Sequence, residues 1–305
     1  MVVLDDLSTG RLDNLRHLTD SPHLEVVEGS VLDRNLTSEL MAGADACFHL
    51  ASAVGVKLIM SQPLDSLLTN IRSNDVVTSV ASEHGTRLLI SSTSEIYGKT
   101  TGGPLAETSE RVLGSPYKAR WAYATAKAVG EYLAYGYHRE TGLPVVVARL
   151  FNTVGPRQTG AYGMVLPRFV KQALARDDLT VYGNGLQSRC FSHVLDTVHA
   201  LVLLMDAEEA NGKVFNVGST EEVAVVDLAR RVIERTGSSS RVRFVPYEEA
   251  YGDGFEELGR RRPDLTALHD LTGWLPTRRV DEAIDDVVAY QHGLGQGHGS
   301  AGFAR

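Results

Sequence analysis

Cysteine is scarce in this 305-residue chain: Cys47 lies in an apolar run and Cys190 beside an aromatic. Two isolated thiols without metal-ligand or framework spacing exclude a disulfide scaffold and a cysteine metal site, so both are expected to be small core residues in a reducing compartment. Long apolar runs are also missing, and the opening MVVLDDLSTG has neither the basic nor the apolar region of a secretory leader. No membrane association is expected, and a cytoplasmic location is. Positive charge is not in excess: the net charge of −8 argues against a nucleic-acid surface, so an anionic ligand would have to meet local arginines. With 43% hydrophobic and 22% charged residues, the chain can bury one large core or two modest ones.

What is present is most informative at Tyr123 to Lys127, read as YATAK within a helical pattern. Four residues apart on one helix face, a phenol and an ammonium can interact. The ammonium is expected to favour the tyrosinate, lowering a pKa of about 10 so that the phenol takes a proton from a hydroxyl near neutral pH. Residues 88–98 (LLISSTSEIYG) read as a buried parallel strand delivering Ser92, Thr93, Ser94 and Glu95 to its carboxyl end. In open α/β sheets, ligands bind at that end.

Together with residues 149–160 (RLFNTVGPRQTG) and 179–196 (LTVYGNGLQSRCFSHVLD), these segments resemble the extended short-chain dehydrogenase/reductases of the NAD-dependent epimerase/dehydratase family, which remodel nucleotide sugars. The resemblance covers nearly the whole chain. It implies an α/β fold with a Rossmann-like, doubly wound parallel sheet, N-terminally truncated, and a smaller α/β substrate-binding cap. It also implies NAD as cofactor, a UDP-sugar or other nucleotide-sugar substrate, no metal, and a homodimer pairing helices 66–84 and 123–141.

The start of the chain departs from the family. A dinucleotide-binding domain opens with a strand, a Gly-rich turn and a helix whose N-terminus holds the pyrophosphate, and an acidic residue about 20 positions later binds the ribose. Here Val2-Val3-Leu4-Asp5-Asp6 resembles the second strand, with Asp5 in the ribose-binding position, and no G-x-x-G-x-x-G occurs in the sequence. A truncated gene is expected, short of about thirty residues, one βα unit plus turn. NAD affinity is expected to suffer if the chain begins here.

Strands are expected at 24–28 (LEVVE), 46–51 (ACFHLA), 144–151 (PVVVARLF) and 214–218, and helices at 35–42, 225–236 and 280–292. By resemblance, Leu50 and Ala51 pass under the cofactor, Asn70 and Ser92 line its site, and Ser30 stands where the family often has an Asp near adenine. His49 reads as a core histidine. Asn152 is expected at the sugar-phosphate, Val165 and Leu166 at the base, Tyr182 at the base or ribose, and Arg189 at the diphosphate, where a planar guanidinium suits phosphate oxygens. Residues 1–155 with about 189–217 would bind NAD, about 156–188 and 218–295 the nucleotide sugar, and 296–305 would form a flexible tail.

The resemblance assigns catalysis to Tyr123, Lys127, Thr93, Ser94, Glu95 and Arg261. Tyr123 would abstract the C4 hydroxyl proton, Thr93 would bond the same oxygen, and Lys127 would hold the nicotinamide ribose, giving a 4-keto sugar. Ser92-Thr93-Ser94-Glu95 and the tail motifs Tyr251-Gly252-Asp253-Gly254-Phe255, Arg261-Arg262-Pro263-Asp264 and Gly273-Trp274 resemble UDP-glucuronate decarboxylases. A UDP-hexose or UDP-hexuronate 4-epimerase is the alternative, then a 4,6-dehydratase. A degenerate nucleotide-sugar-binding protein is the non-enzymatic alternative, and the retained Thr93, Glu95, Tyr123 and Lys127 argue against it.

Overall fold

The computed structural model describes residues 1–99, 102–160, 162–251, 256 and 260–297. The motif residues 252–255 and the expected tail from 298 lie outside the described residues. The first half runs β1 (Val2–Asp5), β2 (Glu25–Glu28), α1 (Arg34–Met41), β3 (Ala46–His49), α2 (Val56–Ser61), α3 (Pro63–His84), β4 (Arg87–Thr93), α4 (Ala122–Thr141) and β5 (Val145–Leu150). There follow β6 (Thr153–Val154), α5 (Val165–Ala175), β7 (Leu179–Tyr182), β8 (Ser188–Cys190), β9 (Ser192–His193), α6 (Val194–Asp206) and β10 (Lys213–Val217). The chain then forms β11 (Glu222–Ala224), α7 (Val225–Thr236), β12 (Val242–Val245), α8 (Tyr247–Tyr251), α9 (Thr266–Thr272) and α10 (Val280–Gly297).

Local chemistry accounts for the helix ends. The Asp33 carboxylate caps α1 by accepting from the backbone N–H groups of Asn35 and Leu36, both at 3.1 Å. Pro63 opens α3 at a position where its missing N–H costs nothing, and glycines at 85 and 142 close α3 and α4.

Strands β10, β5, β4 and β3 form a four-stranded parallel sheet in that order. Side-chain alternation gives its central strands two buried faces. Leu88, Ile90, Val145 and Val147 face α3 and α4, whereas Leu89, Val146 and Ala148 pack with Leu201 and Leu204 of α6 and with Leu268 of α9. Gly130 lets α3 and α4 approach closely, since a Cβ there would meet the Asn74 side chain at 2.9 Å. A second core joins Phe169, Val181, Leu228 and Ile284 from α5, β7, α7 and α10.

Two expectations need correction. The sheet is not continuous: β1 and β2 form a separate parallel pair, because no described strand hydrogen-bonds both it and β3. Val2 and Phe48 are left exposed on these strands. Residues 265–274 were assigned to the cap, yet Leu265, Leu268 and Trp274 pack against the four-stranded sheet, where burial of the indole is available. Element ends elsewhere move by three residues or fewer, except that β4 stops at Thr93, five residues before the end of the 88–98 run, and α10 runs five residues past the expected end.

Candidate active site

The carboxyl end of β4 and the first turns of α4 bring the chemistry together. After Thr93 the chain tightens into a 3₁₀ turn over Ser94–Tyr97, where the Thr93 hydroxyl accepts from the Glu95 N–H at 3.2 Å. Gly98 ends the turn with φ +69°; a Cβ there would lie 2.2 Å from the Val112 carbonyl oxygen, so the position requires glycine. The resulting cleft, about 410 Å³, lies between the sheet and the second core and is lined by Thr93, Glu95, Tyr123, Asn152, Arg189 and Arg261 among others.

Tyr123 and Lys127 are both buried, with the ammonium 6.0 Å from the phenol ring centre and donating to the Ser91 carbonyl at 2.9 Å. The expected acidification of Tyr123 is not found. Burial raises the phenol above its ordinary value and the nearby Glu95 charge raises it further, outweighing hydrogen bonds from Ser52 and Thr93. Burial also pulls Lys127 down to about 8 against the opposing pull of Glu131. In the protein alone, therefore, the neutral phenol is the stable form.

Glu95 shows the opposite balance. Burial would raise its carboxyl, but Arg120, donating at 2.5 Å, and Arg261, at 3.7 Å, pull it down to about 2. This depressed value means that the cluster stabilises the fold above the ordinary glutamate range and loses that contribution as pH falls towards 2. Arg261 also donates to the Ser94 hydroxyl at 3.3 Å, and a backbone bridge sets it beside Arg189 of β8. Residues far apart in sequence thus build a cationic wall around one carboxylate.

Ser92 lines the cleft as expected while its hydroxyl donates at 2.5 Å to Glu131. Two other expected contacts are redirected. Asn70 is fully buried and uses its amide to bind the backbone of Ala53 and accept from Ser52, so it shapes the loop after β3 and does not line the cleft. Leu166 has no exposed surface and belongs to the second core, one helix position past the cleft-lining Val165. Asn152, Tyr182 and Arg189 do line the cleft, and the Arg168 guanidinium stacks 4.2 Å from the Tyr182 ring centre. His49 is buried as expected; burial and then Lys127 lower it to about 3, so it is neutral at working pH. Sequence reading missed Arg120, which carries no motif signal. It also missed Glu131, which the helical spacing from Tyr123 and Lys127 could have revealed.

NAD is the cofactor the family implies, and the residues present fit its two ends. Asp5 terminates β1 with its carboxylate holding the Leu7 N–H at 2.7 Å, and Gly10 leaves it open, since a Cβ there would lie 2.9 Å from the carboxylate oxygen. Tyr123, Lys127 and the exposed Leu50 edge the cleft at the other end; Ala51, exposed beside Leu50, does not line it.

A parallel sheet bearing a Tyr-x-x-x-Lys helix beside a hydroxyl-rich strand end, with a second core closing the cleft, defines an extended short-chain dehydrogenase/reductase. The chain belongs to the NAD dependent epimerase/dehydratase family, whose model matches residues 1–218. It is 36% identical over 95% of its length to a UDP-N-acetyl-alpha-D-glucosaminuronate decarboxylase of Bacillus cytotoxicus, 89% of which is covered. It is 34% identical over 95% of its length to UDP-glucuronic acid decarboxylase 1 of Xenopus tropicalis, of which it spans 66%. Its fold matches the dTDP-glucose 4,6-dehydratase DesIV of Streptomyces venezuelae, solved with NAD bound, with a TM-score of 0.87 at 26% identity, covering 97% of this chain and 88% of that one. It also matches a UDP-glucose 4-epimerase from Thermotoga maritima with a TM-score of 0.85 at 25% identity, covering 96% and 91%. Among the described residues, no helix is long and apolar enough to cross a membrane.

Proposed function

We propose that this protein removes CO₂ from a UDP-linked hexuronate through a 4-keto sugar. The observation that carries the reading is the convergence of Arg120 and Arg261 on one carboxylate in the cleft that holds Tyr123. A hexuronate brings its own carboxylate on C5, and guanidinium groups are matched to it in shape and charge, whereas a neutral hexose has nothing to offer them. The decarboxylases named among the relatives support the reading.

In this reading Thr93 hydrogen-bonds the C4 oxygen and Tyr123 takes its proton, while Lys127 holds the nicotinamide ribose. Bound NAD supplies the hydride acceptor for C4 and the positive charge that draws Tyr123 towards its tyrosinate. Oxidation at C4 turns the C5 carboxylate into a β-keto acid. Arg261 orients that group, the C5–C6 bond breaks with its electron pair passing to the C4 oxygen, and the Tyr123 hydroxyl stabilises the enolate. Glu95, kept ionised by its arginines, anchors Arg120 and Arg261 in the cleft. Asn152, Val165, Tyr182 and Arg189 hold the nucleotide diphosphate, and Asp5 and Leu50, with Ala51 beside it, the cofactor. Residues 1–155 with about 189–217 carry cofactor binding, and about 156–188 with 218–295, apart from α9 and Trp274, carry substrate binding.

Incubation with NAD⁺ and either UDP-glucuronate or its 2-acetamido analogue tests the reading by mass spectrometry and NMR. Release of CO₂ and a UDP-pentose or its 4-keto form is expected from one of them. Inversion at C4 without change of mass would replace the decarboxylase with an epimerase. Glu95→Gln is expected to reduce CO₂ release by about 100-fold, the scale of a misplaced site group, because it removes the charge that holds Arg120 and Arg261 in place.

We also propose that α3 and α4 pair with a second copy, because their outer surfaces expose Leu64 (63%) and Tyr132 (66%). Sedimentation should give a dimer and Tyr132→Glu a monomer; a monomeric parent protein at micromolar concentration would discard the pairing.

A further inference from the structure

Beneath the catalytic pair lies a buried polar group with no part in the chemistry above. Tyr123, Lys127 and Glu131 occupy positions i, i+4 and i+8 of α4, all on its buried face. Both Glu131 oxygens are committed. Oε1 accepts from Ser92 Oγ at 2.5 Å and Arg149 Nε at 2.9 Å, and Oε2 accepts from Arg149 Nη2 at 2.7 Å. Arg149 is itself fixed, donating through Nη1 to the Tyr97 hydroxyl at 2.9 Å and the Glu107 carbonyl at 2.8 Å. The Tyr97 hydroxyl in turn donates to Asn216 at 2.7 Å. Glu131 cannot swing away from its place one helical turn beyond Lys127.

We propose that Glu131, locked by Arg149 and Ser92, is a positioning residue that keeps the Lys127 ammonium charged inside the protein. A buried ion pair is a poor way to gain stability, because well-packed apolar side chains of similar volume often serve as well or better. Its placement directly behind a catalytic ammonium supplies a reason for it. The groups facing Lys127 are few: Tyr123 and Glu131 from α4, neutral His49 at the end of β3, and the Ser91 carbonyl from β4, with Arg149 of β5 behind Glu131. Among these, Glu131 is the anion. Without it, burial would release the proton from Lys127 at a pH where the reaction must run, and the support for the tyrosinate would go with it. The inference rests on the reading of Tyr123 and Lys127 as the hydroxyl-activating pair, but its test needs neither cofactor nor substrate.

The chain has six lysines, so protein labelled with ¹³C at lysine Cε gives a spectrum simple enough to titrate, with Lys127→Arg identifying the Lys127 signal. In the parent protein Lys127 is expected to titrate near pH 8. Glu131→Gln should lower this midpoint by about one unit or more, the effect of removing a close opposite charge, whereas Glu131→Asp should largely retain it. If Glu131→Gln does not fold, Glu131→Gln/Arg149→Gln removes both buried charges together and is expected to show a smaller downward shift, because the repulsion from Arg149 is lost with the attraction of Glu131. An unmoved Lys127 titration in either folded variant would overturn the proposal and make Glu131 a purely structural group. A shifted titration in a protein that turns over no UDP-hexuronate leaves the proposal standing and removes the reaction assigned above.

Discussion

Replacing Tyr123 by phenylalanine is expected to lower turnover of the nucleotide sugar by about 10²- to 10⁴-fold, the contribution of a positioned proton-transfer group. The ring is buried and the substitution keeps its volume, so the thermal midpoint and the affinity for UDP by calorimetry should change little. The effect falls on kcat because the hydroxyl is the atom in play. In the protein alone that hydroxyl is held protonated by burial and by Glu95. Unchanged turnover would remove Tyr123 as the base.

Replacing Arg149 by methionine is expected to destabilise the protein by about 3–5 kcal/mol in urea unfolding, because it strands the Glu131 carboxylate in the interior. Both partners are buried, with 8% and 7% of their side-chain surfaces exposed, so solvent does little to screen the loss. Arg149→Gln with Glu131→Gln should cost much less, since no charge is left behind. Equal losses in the single and double variants would show that packing, not charge, sets the cost. Surface pairs such as Arg230 with Asp227 are not expected to behave this way, as water already solvates both groups.

The legible parts of the chain were those governed by short-range periodicity. The apolar run before Ser91 reads as a buried strand, and the Tyr123–Lys127 spacing within a helical pattern as one helix face, so the strand end and the helix were readable. Asn70 and Leu166 were misplaced, each for its own reason. Leu166 lies one position past the cleft-lining Val165, and a shift of one residue in a helix turns a side chain from cleft to core; Asn70 is consumed by the backbone of the loop after β3, and Ser92 lines the cleft while giving its hydroxyl to Glu131. Arg120 was invisible because nothing local distinguishes it from a surface arginine; its meaning comes from Glu95, 25 positions earlier.

The sequence by itself determined the α/β class, the order of the main elements and the placing of Tyr123 and Lys127 on one face of α4, because these follow from patterns spanning fewer than about a dozen residues. Only the tertiary structure decided that Glu95 is clamped by Arg120 and Arg261, that Glu131 is fixed by Arg149, and that Tyr123 keeps its proton in the protein alone. Those outcomes depend on burial and on polar groups brought together across separations of up to 167 residues. Local pattern carries no record of either.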